Sequence, residues 1–401
     1  MLKRLLSALL ILMLTACALP ALAEEVDDED ENDLTGDALE AFLEEEASVD
    51  DDDKEPETAL GPTIHEMDLS EVTKNTPVIY TCRVILTTNS DHTSLYSQRI
   101  ADKKYTVTSV NRSTKAEILS VGLNWCIARC NGKLGYIKRA KIAEVKPVDP
   151  VNTPPYGVLK STYVCTAATE CHVRKSMSEE DATYVVLNPG TRLSLWKIVD
   201  GWGVVIYMRN YGYIRMDELT DLVPVSPTDR AVSADTPIAA YTSFYNMAQT
   251  EKNINRIWNI QLGSQLMTCT LQPGEAFNFN KRVGPYNKNT GYKIAGVLSG
   301  GGAASGYGGG TCQVSSTLYN ALKQLPGVTI LHRRPHGEGG ATYLPHGMDA
   351  AVGNSQLNLK FRNDYSFPIR IEGHSSDDGA LLMVVYRADM TDGAPLAANA
   401  D

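Results

Sequence analysis

The sequence predicts a multidomain protein in which two small all-β barrels precede an α+β domain. Three observations predict it. At 401 residues the chain is too long for a single core. Two internal segments repeat one pattern of short strands and tight turns, and from about residue 238 strand and helix periodicities alternate. Hydrophobic residues make up 43% of the chain and charged residues 21%, proportions under which most of it folds into globular units.

The N-terminus reads as an export signal over residues 1–23. Lys3 and Arg4 precede an apolar stretch, Leu5 to Leu14, that is too short for a permanent membrane span. Two processing sites compete. Ala21-Leu22-Ala23 fits ordinary signal peptidase, whereas Leu14-Thr15-Ala16-Cys17 looks like a lipobox that would make Cys17 a lipid anchor. Either way the expected location is extracellular or in the cell envelope. Residues 24–62 form an acidic linker, with 19 carboxylates against the single Lys54 between Glu24 and Glu57. Their mutual repulsion and the lack of apolar surface predict disorder. The net charge of −11 is therefore carried by a tail, and the remaining chain is mildly basic. That balance suits an anionic polymer and offers no argument for nucleic acid.

The two repeats span 72–148 and 159–223. The first carries Trp125 and then Asn131-Gly132-Lys133-Leu134-Gly135-Tyr136-Ile137; the second carries Trp202 and then Asn210-Tyr211-Gly212-Tyr213-Ile214. Asn-Gly between alternating segments predicts a type I′ hairpin. This ending resembles the bacterial SH3-like family, which implies small barrels that bind wall peptides or pack on a catalytic neighbour. Equally, both tryptophans can be core residues and both barrels spacers. Pro-rich stretches at 147–155 and 223–237 separate the units. Cys126 and Cys130 on one strand stand about 13 Å apart and cannot bridge. Cys82, Cys165, Cys171 and Cys269 read as buried small hydrophobes, with a Cys165–Cys171 loop left open.

The third unit, 238–390, opens with a strand at Ala239–Tyr245. A helix follows from Asn253 to about Leu266, with Ile254, Ile257, Trp258, Gln261 and Leu262 along one face. A short strand is expected at 276–280. Glycines crowd 300–310, and Val314, Leu318, Ala321 and Leu322 then fall at helical spacing, with Thr311 as N-cap. In order along the chain come Pro273-Gly274-Glu275, Phe277-Asn278-Phe279-Asn280, Val283-Gly284 and Gly291-Tyr292. Gly308-Gly309-Gly310-Thr311-Cys312-Gln313 runs into Ser315-Ser316 and Leu318-Tyr319-Asn320-Ala321, and His336, Tyr343, Pro345, Gly347 and Asp349-Ala350 close the series. These motifs resemble the VanW family over essentially all of Tyr241–Arg387. The family name implies an association with vancomycin-resistance gene clusters and no established biochemical activity.

A thiol in the first turn of a helix meets the positive end of the helix dipole and unpaired backbone N–H groups, which lower its pKa. Cys312 is therefore the candidate nucleophile, His336 the candidate base ahead of His332 and His346, and Asp349 the candidate orienter. Gly309, Gly310 and Gln313 are candidate oxyanion or loop residues. Arg333, Arg334 and Tyr343 are candidates for substrate binding, the arginines as partners for a terminal carboxylate. The order Cys at a helix start, His on a later strand and Asp on the next resembles papain-like and transglutaminase-like arrangements. Each residue has a bland alternative: a buried thiol, a helix-capping amide, a turn-bracing aspartate, a solvated Arg pair. No metal spacing is evident and no cofactor is implied.

Two functions fit. One is a cysteine-dependent acyl transferase or hydrolase acting on peptidoglycan peptides and targeted by the barrels. The other is a non-catalytic wall-binding or scaffold protein whose glycine-rich loop holds an anionic group.

Overall fold

The computed structural model describes residues 57–58, 66–84, 92–149, 156, 158–226, 233–299, 302–336 and 341–389. The export signal, Cys17 and nearly all of the acidic linker lie outside these residues. Among those described, the chain is multidomain and mostly β-sheet, and no helix is long and apolar enough to cross a membrane.

The first repeat forms one antiparallel sheet of seven strands, with Thr106–Asn111 and Ile142–Pro147 at its edges. Val110 and Ile142, from opposite edges, share a core with Tyr80, Leu95, Ile118 and Ile137. The sheet bends over that core without its edges pairing, so no closed barrel forms among the described residues. Register shifts at Thr81/Arg83, Leu95/Tyr96 and Ile118/Ser120 supply the bend. The second repeat divides into a five-stranded and a three-stranded sheet and is likewise not closed.

In both repeats the tryptophan opens a hairpin: Trp125–Cys130 with Lys133–Lys138, and Trp202–Tyr207 with Asn210–Arg215. Asn131 and Gly132 turn the first at φ +48° and +74°, as the Asn-Gly signal predicts. Met208 and Arg209 turn the second at φ +45° and +66°. Left-handed backbone costs an ordinary side chain about 1 kcal/mol or more per residue, so this turn is unusual for its sequence.

The third unit runs β1 (Pro237–Phe244), α1 (Glu251–Met267), β2 (Cys269–Leu271), β3 (Ala276–Asn278), α2 (Phe279–Val283), β4 (Ile294–Ser299), β5 (Gly302–Tyr307), α3 (Thr311–Leu322), β6 (Val328–His332), β7 (Lys360–Asn363), β8 (Ile369–Ser375) and β9 (Ala380–Arg387). One antiparallel sheet has the order β1-β9-β8-β2; another joins β6, β7 and β3; β4 and β5 form a hairpin. The glycine-crowded stretch is thus partly strand. The expected strand at 276–280 stops at Asn278, whose side chain caps α2 by accepting from Lys281 N.

α3 packs against β1, β9 and α1. Val314, Leu318, Ala321 and Leu322 are fully buried, as their spacing predicts. α1 buries a face rotated from the one expected: Ile257 points inward as its spacing predicts, with Ile260, Gly263, Ser264 and Met267, whereas Ile254 and Trp258 are each 46% exposed. Gly263 faces Val314 and Thr311 of α3, where a Cβ would sit at ordinary contact distance, 3.4 and 3.6 Å. Periodicity marks apolar residues and cannot see such a contact.

The repeats are not free spacers. Leu123, Val158, Leu159 and Ile206 belong to the same core as Val314 and Leu318, and Phe244 and Ala380 enter the core of the second repeat. Asn188 N donates to Asp378 at 2.7 Å and Ser194 N to Thr242 Oγ1 at 2.8 Å.

Candidate functional site

Of the twelve residues of α3, Cys312 alone is not fully buried. The helix is capped by Gly310 rather than Thr311, at φ +111°, so Cys312 is its second residue. Gly310 is suited to that backbone, and a Cβ there would also lie 2.9 Å from the Arg256 carbonyl. At Gly309 a Cβ would fall 2.5 Å from Gly296 O and 2.9 Å from Ala295. These two glycines seat the helix start against β4 and α1. Replacing Gly309 by Ala is expected to cost about 1–3 kcal/mol of stability through overpacking; urea denaturation of the full chain measures it, and an unchanged midpoint would contradict the contact.

A polar face of α3 holds the segment that carries Asp349. Ser315 Oγ donates to Ala350 O at 2.6 Å, Ala350 N to Ser316 Oγ at 2.9 Å, and Asn320 Nδ2 to Met348 O at 2.6 Å. Cys312 Sγ accepts from Val352 N at 3.5 Å and lies 3.4 Å from Val352 O. Cys312, Ser315, Ser316 and Asn320 share one helical face. Asp349 was expected on a strand; its segment is instead paired in no sheet, because helix side chains take several of its backbone groups.

His336 lies in the loop after β6, four residues beyond its end. Its Nδ1 meets Asp349 Oδ2 at 2.6 Å, and its backbone N–H donates to the same oxygen at 2.7 Å. Two bonds to one carboxylate fix the ring, and the His336 and Cys312 side chains interact by hydrogen bond and by charge. Cys312, His336 and Asp349 therefore form one hydrogen-bonded line. His332 is committed elsewhere, with Nε2 2.8 Å from Gln356 O.

The seven described cysteines are all free thiols, Cys165 and Cys171 included. Burial pushes Cys82 and Cys165 up to about 12, Cys130 and Cys269 up to about 11, and Cys126 and Cys171 upward as well. Cys312 alone moves down. Burial opposes ionisation there too, but the charge and hydrogen bond of His336 and the Val352 N–H outweigh it. For His336 burial favours the neutral ring, yet Cys312 and Asp349 raise it to about 10. Asp349 is held at about 2 against its burial, by the His336 hydrogen bond and by Arg333. All three shifts favour the charged forms, so the arrangement favours a thiolate–imidazolium pair braced by a carboxylate.

The other candidates divide. Tyr343 sits beside Cys312 and is hydrogen-bonded to Ser316; burial raises its pKa, so its O–H stays a donor. Gln313 is corrected as an oxyanion donor, since its amide donates inward to Ser243 Oγ at 2.9 Å and Phe244 O at 3.0 Å. Arg333 is corrected as a carboxylate binder. Its guanidinium donates to the Asp349 and Gly347 carbonyls and lies over the Tyr319 ring. Arg334 is half-buried, and its carbonyl accepts from Ala351 N at 2.7 Å. Sequence reasoning missed Arg256, which donates from α1 to Gln313 Oε1 at 2.6 Å and interacts electrostatically with Cys312 and Tyr343. A lone Arg on a helix gave no signal. A separate cleft of about 830 Å³, lined by Arg192, Trp258, Gln261 and His374, contains none of the triad residues.

Residues 255–386 match the family described as VanW like protein. The chain is 34% identical over 154 residues to the uncharacterized protein YoaR of Bacillus subtilis, which covers 38% of this chain and 48% of that one. It is 31% identical over 116 residues to the vancomycin B-type resistance protein VanW of Enterococcus faecalis, covering 27% and 42% respectively. The chain thus spans just under half the length of each of these relatives. NlpC1 of Trichomonas vaginalis aligns over 82% of this chain and 99% of its own at 12% identity, with a TM-score of 0.16, too low to bear on the fold.

Proposed function

From the premise that residues 255–386 form a VanW-like domain, we propose that the protein is a cysteine-dependent acyl transferase or hydrolase of the cell envelope. One observation carries this reading: among the described residues the single thiol of lowered pKa is hydrogen-bonded to a histidine that is itself fixed by a buried aspartate. A structural thiol needs neither partner. The seating of Gly309 and Gly310 against protein atoms favours this reading over an anion cradle.

In the proposed reaction the Cys312 thiolate attacks an acyl carbon. The S–C bond forms and the carbonyl electron pair moves onto oxygen, within reach of the first-turn N–H of Cys312. Collapse breaks the C–N bond while His336 passes its proton to the departing amine. Water or a second amine then opens the thioester, returning its proton to His336. Asp349 stays ionised throughout and stabilises the imidazolium.

The substrate class proposed is the peptide portion of peptidoglycan. The apparent export signal and the resistance-protein name carried by one relative support that choice. Processing at Cys17 would add a lipid anchor to the membrane, and the two repeats, read as SH3-like modules, would bind wall peptides. The test is incubation of muropeptide mixtures with the full chain and with Cys312→Ala, analysed by mass spectrometry. New products or a Cys312 thioester with the wild type alone are expected; identical mixtures from both proteins would sink the reading.

A further inference from the structure

The strained turn of the second repeat reaches the segment that precedes Asp349. Asn and Gly suit the left-handed backbone of such a turn, and the first repeat has them at the equivalent place. The second has Met208 and Arg209. Arg209 Nε donates to Leu344 O at 2.7 Å and its Nη2 to Ala341 O at 2.9 Å. The Arg209 carbonyl accepts from Asn124 Nδ2 of the first repeat at 2.7 Å. The turn is thus gripped from one side and grips the segment around Tyr343 on the other.

Arg139 repeats the contact from the first repeat. It is 1% exposed, lies over the Tyr156 ring at 4.8 Å, and donates to Gly122 O at 3.0 Å and His346 O at 3.3 Å. Three backbone carbonyls of 341–346 are therefore held by arginines more than a hundred residues upstream. Two of them flank Tyr343, beside the thiol, and the third lies three residues before Asp349.

We infer that Arg209, together with Arg139, is a positioning residue: the N-terminal repeats complete the site by fixing 341–346, so that Tyr343 and Asp349 meet Cys312 and His336. This rests on the triad reading for its consequence in catalysis, though not for the contact itself. A planar guanidinium is suited to the task because it addresses two carbonyls at once, where an ammonium is a point donor. Arg209 also lies within electrostatic range of Asp349 and Arg139.

The test uses full-length protein with Arg209→Gly, Arg209→Lys and, as a destabilised control in the core of the second repeat, Val205→Ala. Glycine is the residue the turn backbone prefers, so Arg209→Gly removes the grip while relieving the backbone. Two quantities are read: hydrogen exchange of 341–352, and the pH midpoint of Cys312 alkylation. Arg209→Gly is expected to speed exchange of 341–352 about tenfold relative to the rest of the chain. It should also raise the alkylation midpoint by about one pH unit, a tenfold change in thiolate population at fixed pH. Arg209→Lys should fall between, and Val205→Ala should speed exchange in 341–352 no more than elsewhere. Wild-type exchange of 341–352 in Arg209→Gly would overturn the proposal. A wild-type Cys312 that labels as an ordinary thiol would instead defeat the catalytic reading, with the exchange data still deciding the positioning.

Discussion

Replacing His336 by alanine should move Cys312 from the one lowered thiol among the described residues to the company of the other six described there. Burial raises each of those six, two of them to about 12. Cys312 feels the same burial, and His336 supplies the largest opposing effects. Without the imidazolium, desolvation faces only the Val352 N–H, the helix dipole and the more distant Arg256. The alkylation midpoint should therefore rise from below the ordinary value near 9 to above it, with a corresponding loss of thiolate at neutral pH. Catalysis should fall by about 10²–10⁴-fold, the range for a positioned acid–base group. Peptide-resolved labelling across pH measures the first effect. A midpoint unchanged from wild type would show that His336 does not activate the thiol.

Removal of Asp349 should strike stability as well as chemistry. Its carboxylate is nearly fully buried and accepts from the ring and the backbone N–H of His336, with the Arg333 guanidinium 4.0 Å away. Asp349→Ala leaves two donors and a cation facing an empty space, and breaking a buried pair in this way costs about 3–5 kcal/mol. The sign of the pH dependence follows from the lowered pKa. A carboxylate held at about 2 when folded contributes stability that is complete above its unfolded value near 3.8. That contribution is lost as pH falls from there toward 2. Wild type and Asp349→Ala should therefore differ most in denaturant midpoint at neutral pH and converge near pH 2. A gap that persists undiminished in acid would contradict the ion-pair account.

Much of this was legible because it is local. The Asn131-Gly132 turn, the apolar periodicity of α3 and the placement of Cys312 in its first turn depend on neighbours a few residues away. So does the order of Cys312, His336 and Asp349 along the chain, though not their meeting in space. What was not legible depends on distance. The side chain of Gln313 turns inward because Ser243 and Phe244, some seventy residues earlier, offer its amide partners. Arg333 reads as a solvated cation until the carbonyls of 347 and 349 fold onto it. The exposed Ile254 and Trp258 belong to a helix whose inner face is the one that α3 and the sheet happen to cover, with Ile260 and Met267 inside. The repeats read as closed barrels because strand spacing reports strand number and says nothing of whether the edges pair.

The most direct test of the central claim, a thiolate–imidazolium pair at Cys312 and His336, is a proton and nitrogen NMR titration of the His336 ring in the full chain. The account predicts an imidazolium at neutral pH, bearing protons on both nitrogens and losing one only near pH 10. A neutral ring at pH 7 that gains its second proton near the ordinary histidine value would contradict it.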